Sequence, residues 1–322
     1  MSEMLPELHL SDWRPTKDTL HLYCQIVGKI RLATTAPRNH WWNAPLYVDV
    51  RGLTTRRLHH NHTTFEITLD FVDHALIVRT ADGRGQSFQL EDGLPVADFD
   101  ARLHQALGDL GIDVEITEQP FGVPMTTPFP KDVEHASWDR DAIARFGRVL
   151  DWSDSVFEEF CGWFNGKTSP VHLFWHSLDL AVTRFSGRPA PSASTDPVTQ
   201  EAYSHEVISF GFWAGDDRVP DAAYYSYTSP EPPGLRDQRL PVGSWSELGS
   251  GSLAVLPYED VRTSAAPRTT LLAFCQAAYE AGAGLAGWDT AGFESRWCPT
   301  PSQLRQLQTS AAATFGRPTT TS

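Results

Sequence analysis

Residues 169–185 are the segment that most constrains how this chain can fold. The segment reads as one long, mostly apolar strand, yet it carries His172, His176, Asp179 and Arg184. An unpaired polar group in an apolar interior costs about 2–7 kcal/mol, so each of these side chains needs a partner. Such a strand predicts a polar site within a β-rich core.

A second segment, residues 203–210, has the same character. It places His205 and Glu206 at the start of another apolar strand. Side chains alternate between the two faces of a strand, so only one of this pair can face a histidine on a neighbouring strand. We expect the two segments to build one site together.

The composition is that of a folded, acidic protein. Of 322 residues, 41% are hydrophobic and 20% are charged, which is typical of globular rather than disordered chains. This length allows one large domain or two ordinary ones. The net charge of −14 repels phosphate backbones and anionic membranes, so we expect neither nucleic acid nor a membrane as a partner.

The cysteines and the N-terminus favour a cytoplasmic location. The cysteines are far apart in sequence and form no CxxC pair, which fits free thiols in a reducing compartment. The N-terminus lacks the basic and apolar regions of a signal peptide, and no run approaches the roughly 18 apolar residues of a membrane span. The cysteines are Cys24, Cys161, Cys275 and Cys298.

Hydrophobic periodicity divides the chain into two halves of similar plan. Residues 1–118 read as a helix, antiparallel strands and a second helix, and residues 138–290 repeat that order. A proline-rich connector, residues 119–137, separates them, and residues 291–322 are expected to be a partly disordered tail. The predicted fold class is α+β, with each half an antiparallel sheet that has helices packed on one face.

Short echoes between the halves indicate either an internal duplication or a coincidence between two generic α+β units. For example, an aromatic-Cys pair precedes Gly-Lys in residues 23–29 and again in residues 160–167. The predicted helices cover residues 16–33 and begin again near Pro95, Asp139 and Pro267. The predicted strands cover residues 46–51, 64–71, 76–80, 87–90, 114–117, 169–185, 204–213, 222–228 and 253–256.

A metal site in this chain would need histidines from neighbouring elements. Residues four apart on a strand lie roughly 13 Å apart, so His172 and His176 cannot bind one ion with bonds of about 2.0–2.1 Å. His205 and His40 begin other strand regions, and with His172 they form the predicted ligand set. Such a set suits a divalent transition metal, Fe, Zn or Cu. The alternative for each histidine is a core residue that is hydrogen-bonded to a carbonyl or carboxylate.

Four side chains are candidates for catalysis: His172, His205, Arg184 and Glu206. An imidazole titrates near neutrality, so it can serve as an acid, a base or a metal ligand. Arg184 could hold a carboxylate or phosphate through two hydrogen bonds, and Arg51 could do the same in the first half. The alternative for both arginines is an ion pair with a nearby Glu or Asp.

Aromatic side chains near the same segments are candidates for substrate binding. We expect Trp41, Trp42, Trp175 and Tyr203, together with Arg51, to line the pocket. No GxGxxG or GxxxxGK[ST] motif occurs, so no nucleotide cofactor is predicted.

Several stretches are long and specific enough to identify a family. They are residues 39–42 (Asn-His-Trp-Trp), 45–48, 51–55, 65–74, 169–172 (Ser-Pro-Val-His), 179–189 and 201–206 (Glu-Ala-Tyr-Ser-His-Glu). In these stretches, and over nearly its whole length, the chain resembles a bacterial family known only as a domain of unknown function. The resemblance implies no established activity. His40, His172, Arg184, His205 and Glu206 fit that family's pattern.

The leading functional prediction is an enzyme that acts on a small molecule in a histidine-containing pocket between the halves, with metal assistance as one option. The alternative is a non-catalytic protein that binds a small molecule in an aromatic pocket. A structural or partner-binding protein without a pocket is the third class.

Overall fold

The computed structural model describes residues 5–190, 194–217, 219–248 and 251–295. From residue 296 onward the predicted tail, with Cys298, lies outside the described residues. The three other cysteines, Cys24, Cys161 and Cys275, are free thiols. Within the described ranges, no helix combines the length and apolar character that crossing a bilayer requires.

The predicted α+β class is confirmed. Helices pack against two antiparallel six-stranded sheets. The internal duplication and the predicted half boundaries stay predictions. The helices are α1 (Leu10–Thr34), α2 (Val96–Asp109), α3 (Arg140–Gly162), α4 (Pro197–Ala202), α5 (Tyr258–Arg262), α6 (Pro267–Leu285) and α7 (Thr290–Phe293).

The first sheet lies in the N-terminal part of the chain and has the order β1-β2-β4-β5-β6, with β3 paired to β4. Its longest strand follows the strict alternation of apolar and polar residues that predicted it. The strands are β1 (Tyr47–Asp49), β2 (Gly52–Thr54), β3 (Leu58–His60), β4 (Thr63–Asp70), β5 (Ala75–Thr80) and β6 (Gly85–Gln89).

The second sheet has the order β11-β12-β10-β9-β8-β7. Its edge strand β7 meets the first sheet, because Leu46 and Leu173 exchange two backbone hydrogen bonds of 2.9 and 2.8 Å. The strands are β7 (His172–Phe174), β8 (Asp179–Pro189), β9 (His205–Trp213), β10 (Ala223–Ser229), β11 (Ser244–Leu248) and β12 (Gly251–Pro257).

The prediction of one continuous strand over residues 169–185 is wrong. The segment is a hairpin whose strands are β7 and β8, and its turn covers residues 175–178. The amide of Leu178 donates to the carbonyl of Phe174 at 2.8 Å, and Leu178 adopts a left-handed φ of 54°. The predicted strand at residues 114–117 is also absent from the described structure, where this segment forms no secondary structure.

The helices α3 and α6 cover one face of the second sheet. Along β8, alternate side chains point to opposite faces. Arg184 points to the helical face, where its guanidinium donates to the carbonyl of Phe160 in α3 and lies over the ring of Tyr279 in α6. The opposite face carries Asp179 and Thr183, and other parts of the chain lie over it.

The helix α1 and residues 115–121, here called the strap, cover part of that second face. α1 is buried along most of its length, including the amide of Gln25. This amide donates to the carbonyl of Phe121 at 2.9 Å and accepts from its backbone N–H at 2.8 Å. One turn further, the ammonium of Lys29 donates to two more strap carbonyls at 3.0 and 2.6 Å. Buried polar groups of α1 thus hold the strap in place.

Gly28 of α1 lets this helix approach the hairpin turn closely. A methyl group at position 28 would overlap the indole of Trp175, which donates to the carbonyl of Ala44 at 3.1 Å. The close packing of helix on indole therefore requires glycine here.

Gly28→Ala should lower the free energy of unfolding by about 1–3 kcal/mol, because the added methyl overpacks the core. Urea denaturation measures the change. The matched control is Gly108→Ala in α2, where nothing lies within 4 Å of the new methyl. That control should stabilise the protein by up to about 1 kcal/mol through helix propensity. Equal effects of the two substitutions would contradict this packing.

Candidate functional site

The face of the second sheet opposite α3 and α6 is the floor of a cavity of about 1010 Å³. Side chains of α1, the strap, the 3₁₀ turn Asn39–Trp41 and α4 form the rest of its lining. Both halves of the chain thus contribute to it. Sites for small molecules usually enclose about 300–1,000 Å³, so this cavity has room for a molecule of drug or metabolite size.

The polar part of the floor centres on Asp179. Its carboxylate accepts hydrogen bonds from the hydroxyls of Ser177 and Tyr225. Tyr225 belongs to β10 and pairs with Gly211 of β9. Its side chain passes over Gly211 to reach Asp179 of β8. A methyl group on Gly211 would overlap the phenol ring, so the glycine makes this interaction possible.

Two more tyrosines extend this polar patch. The ring of Tyr227 stacks beside that of Tyr225 with centroids 6.2 Å apart, and its hydroxyl lies 3.1 Å from that of Tyr203. Burial raises the pKa of Tyr225 and of Tyr227 well above the ordinary phenol value, and nearby Asp179 raises both further. These phenols therefore stay protonated at neutral pH, and Tyr225 keeps its hydrogen bond to Asp179.

Aromatic side chains are frequent in the rest of the lining. Two apolar side chains at the mouth, Phe121 of the strap and Val198 of α4, are 51% and 42% exposed. An isolated exposed apolar residue is ordinary, but two on the rim of one cavity indicate an opening suited to apolar molecules. The lining aromatics include Trp41, Trp42, Phe174, Trp175, Phe185 and Trp213.

The turn Asn39–Trp41 is held against α4 in an unusual backbone conformation. His40 and Trp41 both have left-handed φ values, 57° and 60°, which are uncommon for residues other than glycine. The backbone N–H of His40 donates to Glu201 at 2.9 Å, and the indole of Trp41 donates to the carbonyl of Val198 at 3.0 Å. These bonds to α4 stabilise a turn that places both side chains on the cavity wall.

His172 lines the cavity but is almost completely enclosed, with 1% of its surface exposed. Its Nδ1 has no hydrogen-bond partner within the described structure. Burial, reinforced by the charges of Arg31 and Arg56, lowers the pKa of His172 to about 3. This imidazole is therefore neutral at physiological pH.

His40 also lines the cavity, and both of its ring nitrogens have partners. Nε2 accepts from the ammonium of Lys167 at 2.8 Å, and Nδ1 lies 3.3 Å from the carbonyl of Ala202. Burial, followed by the charge of Lys167, lowers the pKa of His40. The ring meets that of His205 edge-on, with centroids 5.5 Å apart.

Of the predicted ligand set, His40 and His205 lie side by side, but His172 lies away from them. In the register, His172 lies opposite Ala181 of β8, whereas His205 lies opposite Pro189 at the far end of that strand. Ala181 and Pro189 are eight residues apart, which at about 3.3 Å per residue is roughly 26 Å along an extended strand. Across the described residues, no group of three or more His, Cys, Asp or Glu side chains could hold a metal ion.

Arg184 and Arg51 do not reach the cavity, contrary to the substrate-binding roles considered for them. Arg184 lies on the helical face of β8 and packs on the ring of Phe160 at 3.5 Å, so cation–π contacts take the place of the expected ion pair. Arg51 forms ion pairs with Asp70 and Asp73 in the first sheet. An ion pair was the alternative to a binding role that the sequence left open for this arginine.

Glu206 and His205 also lie outside the lining as the described residues define it. Glu206 forms an ion pair with Arg188 at 2.7 Å and accepts from the hydroxyl of Ser186 at 2.9 Å. Arg188 thereby compensates the negative charge of Glu206 within the second sheet. Of the predicted binding residues, all four aromatics, Trp41, Trp42, Trp175 and Tyr203, do line the cavity.

Several lining residues were not predicted as part of the site: His176, Asp179, Tyr225 and Tyr227. Burial lowers the pKa of His176, while the charge of Asp179 raises it. The alternating tyrosines of residues 223–228 are the one sequence signal that could have indicated a polar strand face. Nothing in the sequence connects that face with Asp179.

The chain belongs to a family of unknown function, DUF5996, whose model matches residues 5–295. This match confirms the family resemblance that the sequence motifs indicated. No curated protein and no solved structure matches the chain in the corresponding searches.

His172→Gln should reduce the loss of stability on mild acidification. The folded-state pKa of His172, about 3, lies below the unfolded value of 6.5. As the pH falls, the unfolded chain is therefore protonated first, and stability is lost from about pH 6.5 down to about pH 3. Between pH 7 and pH 5 this histidine accounts for about 2 kcal/mol of lost stability, which the variant lacks.

Urea denaturation of both proteins at pH 7 and pH 5 measures this difference. His62→Gln, a change at an exposed histidine in the first sheet's hairpin turn, is the control. If wild type and His172→Gln lose the same amount of unfolding free energy between pH 7 and pH 5, the enclosed, neutral state of His172 is contradicted.

Proposed function

We propose that this protein binds a small, largely apolar molecule in the cavity between α1, the strap and the second sheet. The observation that carries the proposal is the cavity itself: about 1010 Å³, with aromatic walls and a single patch of hydroxyl and carboxylate groups on its floor. Apolar lining with few polar groups is the common design of small-molecule sites.

The apolar lining favours the non-catalytic alternative over the metal-assisted enzyme. His172 of β7 and His205 of β9 face opposite ends of β8, and Nε2 of His40 is already bonded to Lys167. Arg184, the candidate anion-binding group of that enzyme, is packed beneath the sheet against Phe160.

A second proposal, an enzyme in the same cavity, is favoured by one observation. His176, Asp179 and Tyr225 line the same end of the floor, and a carboxylate with a neighbouring imidazole can move a proton. The two proposals differ in what co-purifies with Asp179→Asn. A binding protein yields the same small molecule as wild type or none, whereas a blocked enzyme yields a different one, its substrate. Mass spectrometry of the extracted molecules distinguishes these results.

Ala33→Trp should weaken binding of N-phenyl-1-naphthylamine, an uncharged fluorescent probe of apolar sites, by roughly tenfold or more. Ala33 is an exposed residue of α1 that lines the cavity, so the indole would occupy the cavity without disturbing the core. Fluorescence titration measures the affinity, and thermal unfolding checks the fold.

Ala101→Trp is the matched control, because Ala101 is an exposed alanine in α2, away from the cavity lining. It should bind the probe as wild type does. Probe binding that does not saturate in wild type, or an equal affinity for the probe in all three proteins, would contradict the proposed function.

A further inference from the structure

We infer that the ligand carries a positively charged amine, which pairs with the carboxylate of Asp179 between aromatic rings. The inference rests on the proposed function and deepens it by naming the ligand's chemical class. It starts from a charge on the cavity floor that the described part of the chain leaves without a cation.

Asp179 is 9% exposed, and its hydrogen-bond donors are the hydroxyls of Ser177 and Tyr225. No lysine or arginine of the described residues forms an ion pair with it. A carboxylate removed from water is stable only when it is well hydrogen-bonded or paired with a positive charge. Two hydroxyls supply part of that stabilisation, and a cationic ligand would supply the rest.

Aromatic rings flank this carboxylate on both sides. In the strand register, Asp179 of β8 lies opposite Phe174 of β7 and opposite Trp213 of β9. All three line the cavity, and cross-strand neighbours have Cβ atoms about 4.5–5.5 Å apart. The phenol of Tyr225 closes a third side. Aromatic faces around a carboxylate are the arrangement that recognises organic ammonium groups.

The charges around the cavity also favour a cation. Glu115 and Asp196 line it together with Asp179, whereas Lys29 is the one lysine or arginine in the described lining. The ammonium of Lys29 is held by the carbonyls of Thr117 and Gln119, which fixes it at the strap.

The whole-chain charge acts in the same direction. A net charge of −14 creates a negative field that attracts cations toward the cavity and repels anions from it. Burial lowers the pKa of the three histidines in the described lining, His40, His172 and His176, so that their neutral forms are favoured and do not oppose this field.

A neutral hydroxyl on the ligand fits the floor less well than an ammonium group. The carboxylate already accepts from two hydroxyls, and a third adds an ordinary hydrogen bond without cancelling the charge. An ammonium group forms a charge-assisted bond, which is stronger, and it also interacts with the flanking ring faces.

The test compares 4-phenylbutylamine with 4-phenylbutan-1-ol, which share a phenyl group and a chain but differ in charge. Isothermal titration of the wild-type protein at pH 7 should show the amine binding roughly 10- to 100-fold more tightly. Equal affinities, or tighter binding of the alcohol, would overturn the inference and leave the proposed function intact.

Asp179→Asn keeps the side-chain shape and removes the charge. Its amide oxygen can accept from one of the two hydroxyls, and its NH2 group can donate to the other. The substitution should abolish the preference for the amine and leave the affinity for the alcohol within about twofold. Asp73→Asn, at an exposed carboxylate of the first sheet, is the control and should retain the preference. If Asp179→Asn does not fold, the wild-type comparison decides alone.

The two proposals fail in different ways. If neither compound binds but N-phenyl-1-naphthylamine does, the ammonium inference is wrong and the apolar site stands. If none of the three binds, the proposed function is wrong as well.

Discussion

The structure depends on how the buried helix α1 satisfies its polar side chains. Gln25 is completely enclosed, and an amide without partners at such a position would be costly. The backbone of Phe121 satisfies both ends of this amide, and Lys29 binds two more carbonyls of the strap. The requirement for hydrogen bonds therefore fixes the strap over the second sheet, at a distance that leaves a cavity beneath it.

The two faces of β8 show how one strand serves two different surroundings. Arg184 points toward α3 and α6, where a carbonyl and aromatic rings hold its charge. Asp179 points to the opposite face, where hydroxyl groups and the rings of cross-strand neighbours surround it. A positive charge is thus enclosed in the core, and a negative one is left at the cavity. This asymmetry is the basis of the preference for cations that we propose for the cavity.

Much of the fold could be predicted because strong periodicity reports local structure directly. The helix α3 begins at the expected cap, Asp139, and β4 follows its alternating pattern. The hairpin within residues 169–185 was missed because its turn contains no glycine, proline or asparagine, and Leu178 adopts the left-handed conformation. A leucine in that conformation is held by its surroundings and has no local sequence signal.

The candidate site could be predicted only in part, for a related reason. The aromatic side chains Trp41, Trp42 and Trp175 were found because they lie beside distinctive segments of the chain. The contact of Tyr225 with Asp179 depends on Gly211 lying between them across β9, which only the strand register reveals. Likewise, the separation of His172 from His205 follows from which residues of β8 they pair with, Ala181 and Pro189, and not from the residue type.

The central claim is that the cavity holds a small molecule whose ammonium group meets Asp179. A crystal structure of the full chain with 4-phenylbutylamine measures this most directly. We expect the phenyl group inside the cavity and the amine nitrogen about 2.7–2.9 Å from a carboxylate oxygen of Asp179. An amine bound at Glu115 or Asp196, or a cavity filled by the protein's own side chains, would contradict the account.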